Sequence, residues 1–148
     1  MTGPELKALT IEGFEQMFNN GNLDYVDGAI HAGGTDHQEV AGTEFAEHLK
    51  EVITALRGGF PDLRFEVQEI LCEGSTVACR STMHGTHRGR LNFGPLAQLE
   101  PTNATVAVPH MHFFHYEQGQ VTDLWHVWDT PALARQLGLP VPDFKPSA

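Results

Sequence analysis

Val108-Pro109-His110-Met111-His112-Phe113-Phe114-His115-Tyr116 and Leu124-Trp125-His126-Val127-Trp128, joined across Glu117-Gln118-Gly119, decide how this chain folds. Both stretches are rich in aromatic and β-branched residues and read as strands of one hairpin. The turn sets the chemistry, because side chains alternate along a strand and a one-residue slip sends each to the opposite face. A two-residue loop at Gln118-Gly119 pairs His112 with Trp125 and turns His126 away from the other histidines. A three-residue loop, Glu117-Gln118-Gly119, pairs Tyr116 with Gln120, His112 with Leu124 and His110 with His126. The two-residue type I′ turn needs positive φ at both central positions, which Gln118 resists, whereas Gly119 suits the left-handed position of the longer loop. The three-residue loop is therefore the expectation. It puts His110, His112, Phe114, Leu124, His126 and Trp128 on one face, and Met111, Phe113, Trp125 and Val127 on the other.

Upstream, Leu6, Leu9, Gly13 and Met17 recur at helical spacing and predict a helix over about 5–19, ended by Asn19-Asn20-Gly21-Asn22. A second short helix is expected over Leu23 to Ile30. His31 to Val40, with two glycines and no period, reads as a loop carrying Asp36 and His37. Thr43 is the expected N-cap of a third helix, whose apolar face is Phe45, Leu49, Val52, Ile53 and Leu56. Alternation after Pro61 predicts strands from Leu63 towards Leu71 and from Thr76 to His84. A loop runs from Gly85 to about Asn103. After the histidine hairpin, Thr130 and Pro131 open a last helix that Gly138 stops. Helices followed by a run of antiparallel strands make an α+β chain, with the helices packed on one face of a curved sheet.

The 148 residues fit one domain, 1–148, whose Pro-containing tail over 139–148 is expected to be extended. A formal charge of −10 speaks against nucleic acid and anionic membranes as partners. No apolar run approaches the roughly 20 residues that span a bilayer. The N-terminus lacks the basic-then-apolar order of a signal peptide, so a cytoplasmic protein is expected. In that compartment Cys72 and Cys79 are expected as free thiols, not as a disulfide.

Imidazoles grouped on an apolar face are groups able to move protons near neutral pH. His126 and His112 are the candidate acid/base residues, with His110 beside them. The same nitrogens are a conceivable Zn²⁺ or Fe²⁺ site, but no carboxylate falls on that face to orient the rings, and no metal is assigned. Asp129 is expected to act structurally at the start of the last helix.

With Asp36-His37, Phe60-Pro61-Asp62-Leu63, Gly85-Thr86-His87-Arg88-Gly89, Pro101-Thr102, Gly119, Trp125, Asp129 and Gln136-Leu137-Gly138 in this order, the chain resembles the SnoaL-like polyketide cyclases, or ester cyclases, of the NTF2-like superfamily. The resemblance covers almost the whole chain. It implies a cone of curved antiparallel sheet closed by N-terminal helices around a deep apolar pocket, in a homodimer or homotetramer. It also implies a cofactor-free intramolecular aldol ring closure on a hydrophobic polyketide-like small molecule. The resemblance places a helping histidine at His112, and at the position of His126 an acidic residue that this chain replaces with imidazole. His37 and His87 are expected to reach the pocket with Phe114, Trp128 and Leu124 as substrate contacts. The rival readings are an epoxide hydrolase or dehydratase of the same fold, and a non-catalytic binding protein for an apolar ligand.

Overall fold

A computed structural model describes residues 1–144 and 146. The elements in chain order are α1 (Gly3–Gly13), a π-helical continuation (Phe14–Asn19), α2 (Leu23–Ala29), β1 (Ile30–Asp36), α3 (Phe45–Gly59), β2 (Arg64–Glu73), β3 (Thr76–Thr86), a short 3₁₀ helix (Gly94–Gln98), β4 (Thr105–Glu117), β5 (Gln120–Trp128) and α4 (Thr130–Gln136). The chain is α+β as expected. Its five strands form one open sheet in the order β1-β5-β4-β3-β2. Four of them are antiparallel neighbours, but β1 lies parallel to β5, so the sheet is mixed.

The helices start where side chains can satisfy their first N–H groups. Thr2 and Glu5 form a reciprocal capping box on α1. At α3 the cap is the Glu44 carboxylate, which accepts from the Glu47 N–H at 2.8 Å, not Thr43. At α4 it is Asp129, which accepts from the Ala132 N–H at 2.9 Å, with Thr130 already inside the helix. Asp129 thus has the structural part expected of it. The predicted helix over 5–19 is α1 plus the π-helical turn, whose wider winding brings both Phe14 and Phe18 onto Phe65 of β2. The Asn19 side chain accepts from the Phe65 N–H at 2.7 Å and fastens that end to the sheet.

Two expectations fail on strands. Residues 30–36 are not a loop but the edge strand β1. Its glycines hide it in the sequence. Gly34 is needed for close approach, since a Cβ there would meet the His31 carbonyl oxygen at 3.0 Å and the Val121 carbonyl oxygen at 3.2 Å. The hairpin turn is the two-residue form: Gln118 (φ 49°) and Gly119 (φ 76°) are both left-handed, and Glu117 pairs with Gln120. Alone, that turn would carry His126 outward. Between Tyr116↔Val121 and His115↔Asp123, however, the ladder slips past Thr122, and this bulge reverses the parity. Phe114 then pairs with Leu124, His112 with His126 and His110 with Trp128, each partner two residues beyond the expected one. The predicted faces survive although the predicted turn does not.

The core forms where the inner face of the sheet meets α1, α3 and α4, around residues such as Phe14, Ile53, Leu56, Phe60, Met83 and Val108. Cys72 and Cys79 are free thiols, the second buried. No helix among the described residues is long and apolar enough to cross a membrane. Leu139 to Phe144 hold no helix or strand, and Lys145, Ser147 and Ala148 of the tail lie outside the described residues.

Candidate active site

Between the inner face of β4–β5 and the N-terminal helices lies a cavity of about 310 Å³. Most of its wall is apolar or aromatic, including Phe14, Leu49, Phe114, Leu124 and Trp128. His110, His112 and His126 meet there as a stack. The rings of His110 and His112 are 5.8 Å apart and those of His112 and His126 5.6 Å, each pair within 10° of parallel. Phe114 continues the stack 5.4 Å from His112.

The three imidazoles have unequal surroundings. His110 and His112 are 7% and 8% exposed, and neither ring hydrogen-bonds to another described residue. Burial, reinforced by the His126 charge, pushes His110 down to about 3. Burial and the two neighbouring imidazoles push His112 well below the usual histidine range. Both are therefore neutral at physiological pH. The buried, unpartnered nitrogens are Nε2 of His110 and Nδ1 of His112. An orphaned N–H costs more than an orphaned lone pair, so the protons belong on the opposite nitrogens, Nδ1 of His110 and Nε2 of His112.

His126 has a partner. Its Nε2 lies 3.0 Å from Oδ2 of Asp36, a carboxylate with 9% of its side chain exposed. Desolvation raises the Asp36 carboxyl, but the hydrogen bond from His126, the Gln38 N–H and the charges of His126 and His48 outweigh it and hold the group below its ordinary value. Asp36 is thus ionised and accepts. Nε2 of His126 donates to it, so whenever the imidazole is neutral Nδ1 carries the free lone pair. The Gln38 side chain accepts from the His126 backbone N–H at 2.8 Å and pins the strand beside the pair.

Asp36 is the cavity carboxylate that sequence reasoning missed. The expected pocket residue, His37, lies on the outer face instead. It stacks on Trp125 with centroids 4.3 Å apart and bonds Oδ1 of Asp123 at 2.8 Å. Strand alternation explains the exchange: once 36 is recognised as a strand residue, neighbours 36 and 37 must face opposite ways. Reading 31–40 as a loop removed that signal. His87 does not reach the cavity either. It is fully buried, and its Nδ1 lies 3.0 Å from the Thr102 hydroxyl and accepts from the Thr102 N–H, holding two loops together. Phe114, Leu124 and Trp128 do line the cavity. So does His48, whose Nε2 lies 3.0 Å from Glu39.

The chain matches the SnoaL-like polyketide cyclase family over residues 8–137. It belongs to that family. No curated protein matches it in sequence. Among solved structures it is similar to TsrD from Streptomyces laurentii, at 22% identity and a TM-score of 0.79 over 93% of this chain and 98% of that one. It is also similar to AclR, a proposed hydroxylase from Streptomyces galilaeus, at 24% identity and a TM-score of 0.78 over 97% and 87% of the two chains. IdmH, a proposed polyketide cyclase from Streptomyces antibioticus, is 23% identical with a TM-score of 0.72 over 90% and 99%. These likenesses establish the NTF2-like fold. Family membership supports a cyclase-type role, and the fold alone leaves the chemistry to the site.

Proposed function

We propose that the protein is an acid/base enzyme that closes a ring in a hydrophobic, polyketide-like small molecule, with the Asp36–His126 pair as its base. The observation that carries this is the 3.0 Å contact between an ionised, largely buried carboxylate and the one cavity histidine whose second nitrogen it leaves free. Nδ1 of His126 removes a proton α to a carbonyl, and the electron pair moves onto the carbonyl oxygen as an enolate. The neutral N–H groups of His110 and His112 donate to that oxygen. Neutral imidazoles suit the task, since they add no charge that would repel the imidazolium forming beside them. The enolate carbon attacks a second carbonyl of the folded substrate, and the new alkoxide takes the proton back from His126. Asp36 holds the ring in position and stabilises its charged form throughout, as an orienting carboxylate does behind a catalytic imidazole. The aromatic wall holds the chain folded, so that proximity supplies much of the rate. Every step uses side chains alone and calls for no cofactor.

The outer face of the hairpin supports a homodimer. Met111, Phe113, Trp125 and Val127 are 54%, 54%, 44% and 62% exposed and form one apolar patch with Leu71 of β2. A second copy covering the same patch would make an isologous contact. Light scattering on a sizing column should give twice the chain mass, and a monomer at micromolar concentration would remove this part of the proposal.

The chemistry is tested by deuterium exchange α to the carbonyl of a bound aromatic β-ketoester, a readout that does not require ring closure. His126→Gln should slow the exchange about a hundredfold or more while sparing ligand binding. Unchanged exchange in that variant would remove His126 as the base.

A further inference from the structure

Beyond Phe114, the inner row of β4 ends on Tyr116, whose hydroxyl lies in a second polar station of the same cavity. Thr10 of α1 and Tyr116 are buried, both line the cavity, and their oxygens are 2.8 Å apart. The direction of that bond is determined. Thr10 has a single hydroxyl hydrogen, and Oγ1 lies 2.9 Å from the Leu6 carbonyl oxygen, which can only accept. Thr10 therefore donates to Leu6, and Tyr116 must donate to Thr10. The phenol has spent its own hydrogen and keeps unused lone pairs, with no second partner among the described residues. It also stays protonated, because burial pushes it up to about 12.

The two ends of the cavity are thus complementary in kind. The histidine end offers N–H donors, whereas the Tyr116 oxygen can only accept. Four residues of strand separate His112 from Tyr116, roughly 13 Å along β4. Phe114 lies between them, its ring 5.4 Å from His112 and 6.3 Å from Tyr116.

We propose that Tyr116 is a specificity-determining residue that accepts a hydrogen bond from a hydroxyl of the substrate, so that the cavity selects elongated molecules with a carbonyl at one end and a free hydroxyl at the other. This rests on reading the cavity as a substrate site, but not on His126 being the base. A hydroxyl removed or methylated at the far end leaves the tyrosine oxygen buried without a donor, and that loss sets the discrimination.

The test uses three fluorescent probes: acetylnaphthalene bearing on its far ring a hydroxyl, a methoxy group or hydrogen. The wild-type protein should bind the hydroxyl probe about tenfold more tightly than the other two. Tyr116→Phe keeps the ring, and should bind all three alike, at the affinity the wild type shows for the hydrogen probe. Thr10→Val keeps the shape but removes the acceptor of the tyrosine proton, which frees Tyr116 to donate. The methoxy probe should then gain several-fold. Equal or absent binding of the three by wild type, a hydroxyl preference that survives Tyr116→Phe, or no methoxy gain in Thr10→Val would each overturn the proposal. In His126→Ala the hydroxyl preference should persist while exchange is lost. If exchange survives there and the preference also stands, the acid/base reading fails alone. If the preference is absent and exchange is lost, the specificity proposal fails alone.

Discussion

The inner and outer faces of the β4–β5 hairpin are made by alternate residues of the same two strands, yet they treat histidine in opposite ways. On the outer face His37 has a partner, stacked on Trp125 and bonded through Nε2 to Asp123. On the inner face His110 and His112 are buried without any hydrogen-bond partner among the described residues, and only His126 has a carboxylate. Burying a polar group without a partner costs stability, so an arrangement serving the fold alone would resemble the outer face. The inner arrangement makes sense as a surface whose missing partner is a ligand. Segment 36–39 ties the two faces together: Asp36 reaches inward, His37 outward, and Gln38 holds the strand between them.

The largest expected effect comes from exchanging the faces. Trp125→His combined with His126→Trp places the indole inward and the imidazole outward on an unchanged ladder. Exchange should fall to the solvent background in this variant, and circular dichroism will report whether the sheet persists. Retained exchange would show that an inward imidazole at position 126 is not needed. Next, Asp36→Asn should lower the exchange rate tenfold or more with little change in ligand affinity, because it removes the acceptor that fixes the His126 tautomer. His37→Ala, on the outer face, should cost only a few-fold. Equal losses in the two variants would erase the distinction between the faces.

Acid should act through the inner face. A histidine whose folded value lies below its unfolded value takes up its proton more readily when unfolded, so its contribution is present above about 6.5 and lost as the pH falls towards about 3. His110, with His112 acting in the same direction, should cost on the order of 1 kcal/mol of stability per pH unit across that window. Chemical denaturation at stepped pH measures it, and a flat profile would contradict the neutral, buried assignment. The smallest effect is a gain. His112→Phe replaces an unpartnered polar ring by an apolar one and should stabilise the fold by about 1 kcal/mol while slowing exchange. A marked destabilisation would mean that His112 does structural work.

Much of this architecture was legible in the sequence because it is written in side-chain periodicity. The helical faces, the β2–β3 alternation and the grouping of His110, His112 and His126 all follow from repeats of 3.6 or 2. The features that escaped are those made by backbone. Strand β1 is held by pairing with β5 and by room for Gly34, and carries no alternation to betray it. Gln118 adopts a left-handed conformation that its residue type disfavours, and the bulge at Thr122 leaves no compositional mark. These last two misreadings each shift the register by one residue in the same direction, and the sum of two restores the parity, which is why the face assignment survived a wrong turn. Asp36 was lost with β1, and with it the carboxylate that distinguishes His126 from its neighbours.

That distinction is the central claim, and ¹⁵N NMR of His110, His112 and His126 tests it most directly. The account predicts His126 as the Nε2–H tautomer at neutral pH, coupled to Asp36 and altered by Asp36→Asn, with His110 and His112 still neutral at pH 5. A His126 proton on Nδ1, or His110 and His112 charging near 6.5 like free imidazoles, would contradict it.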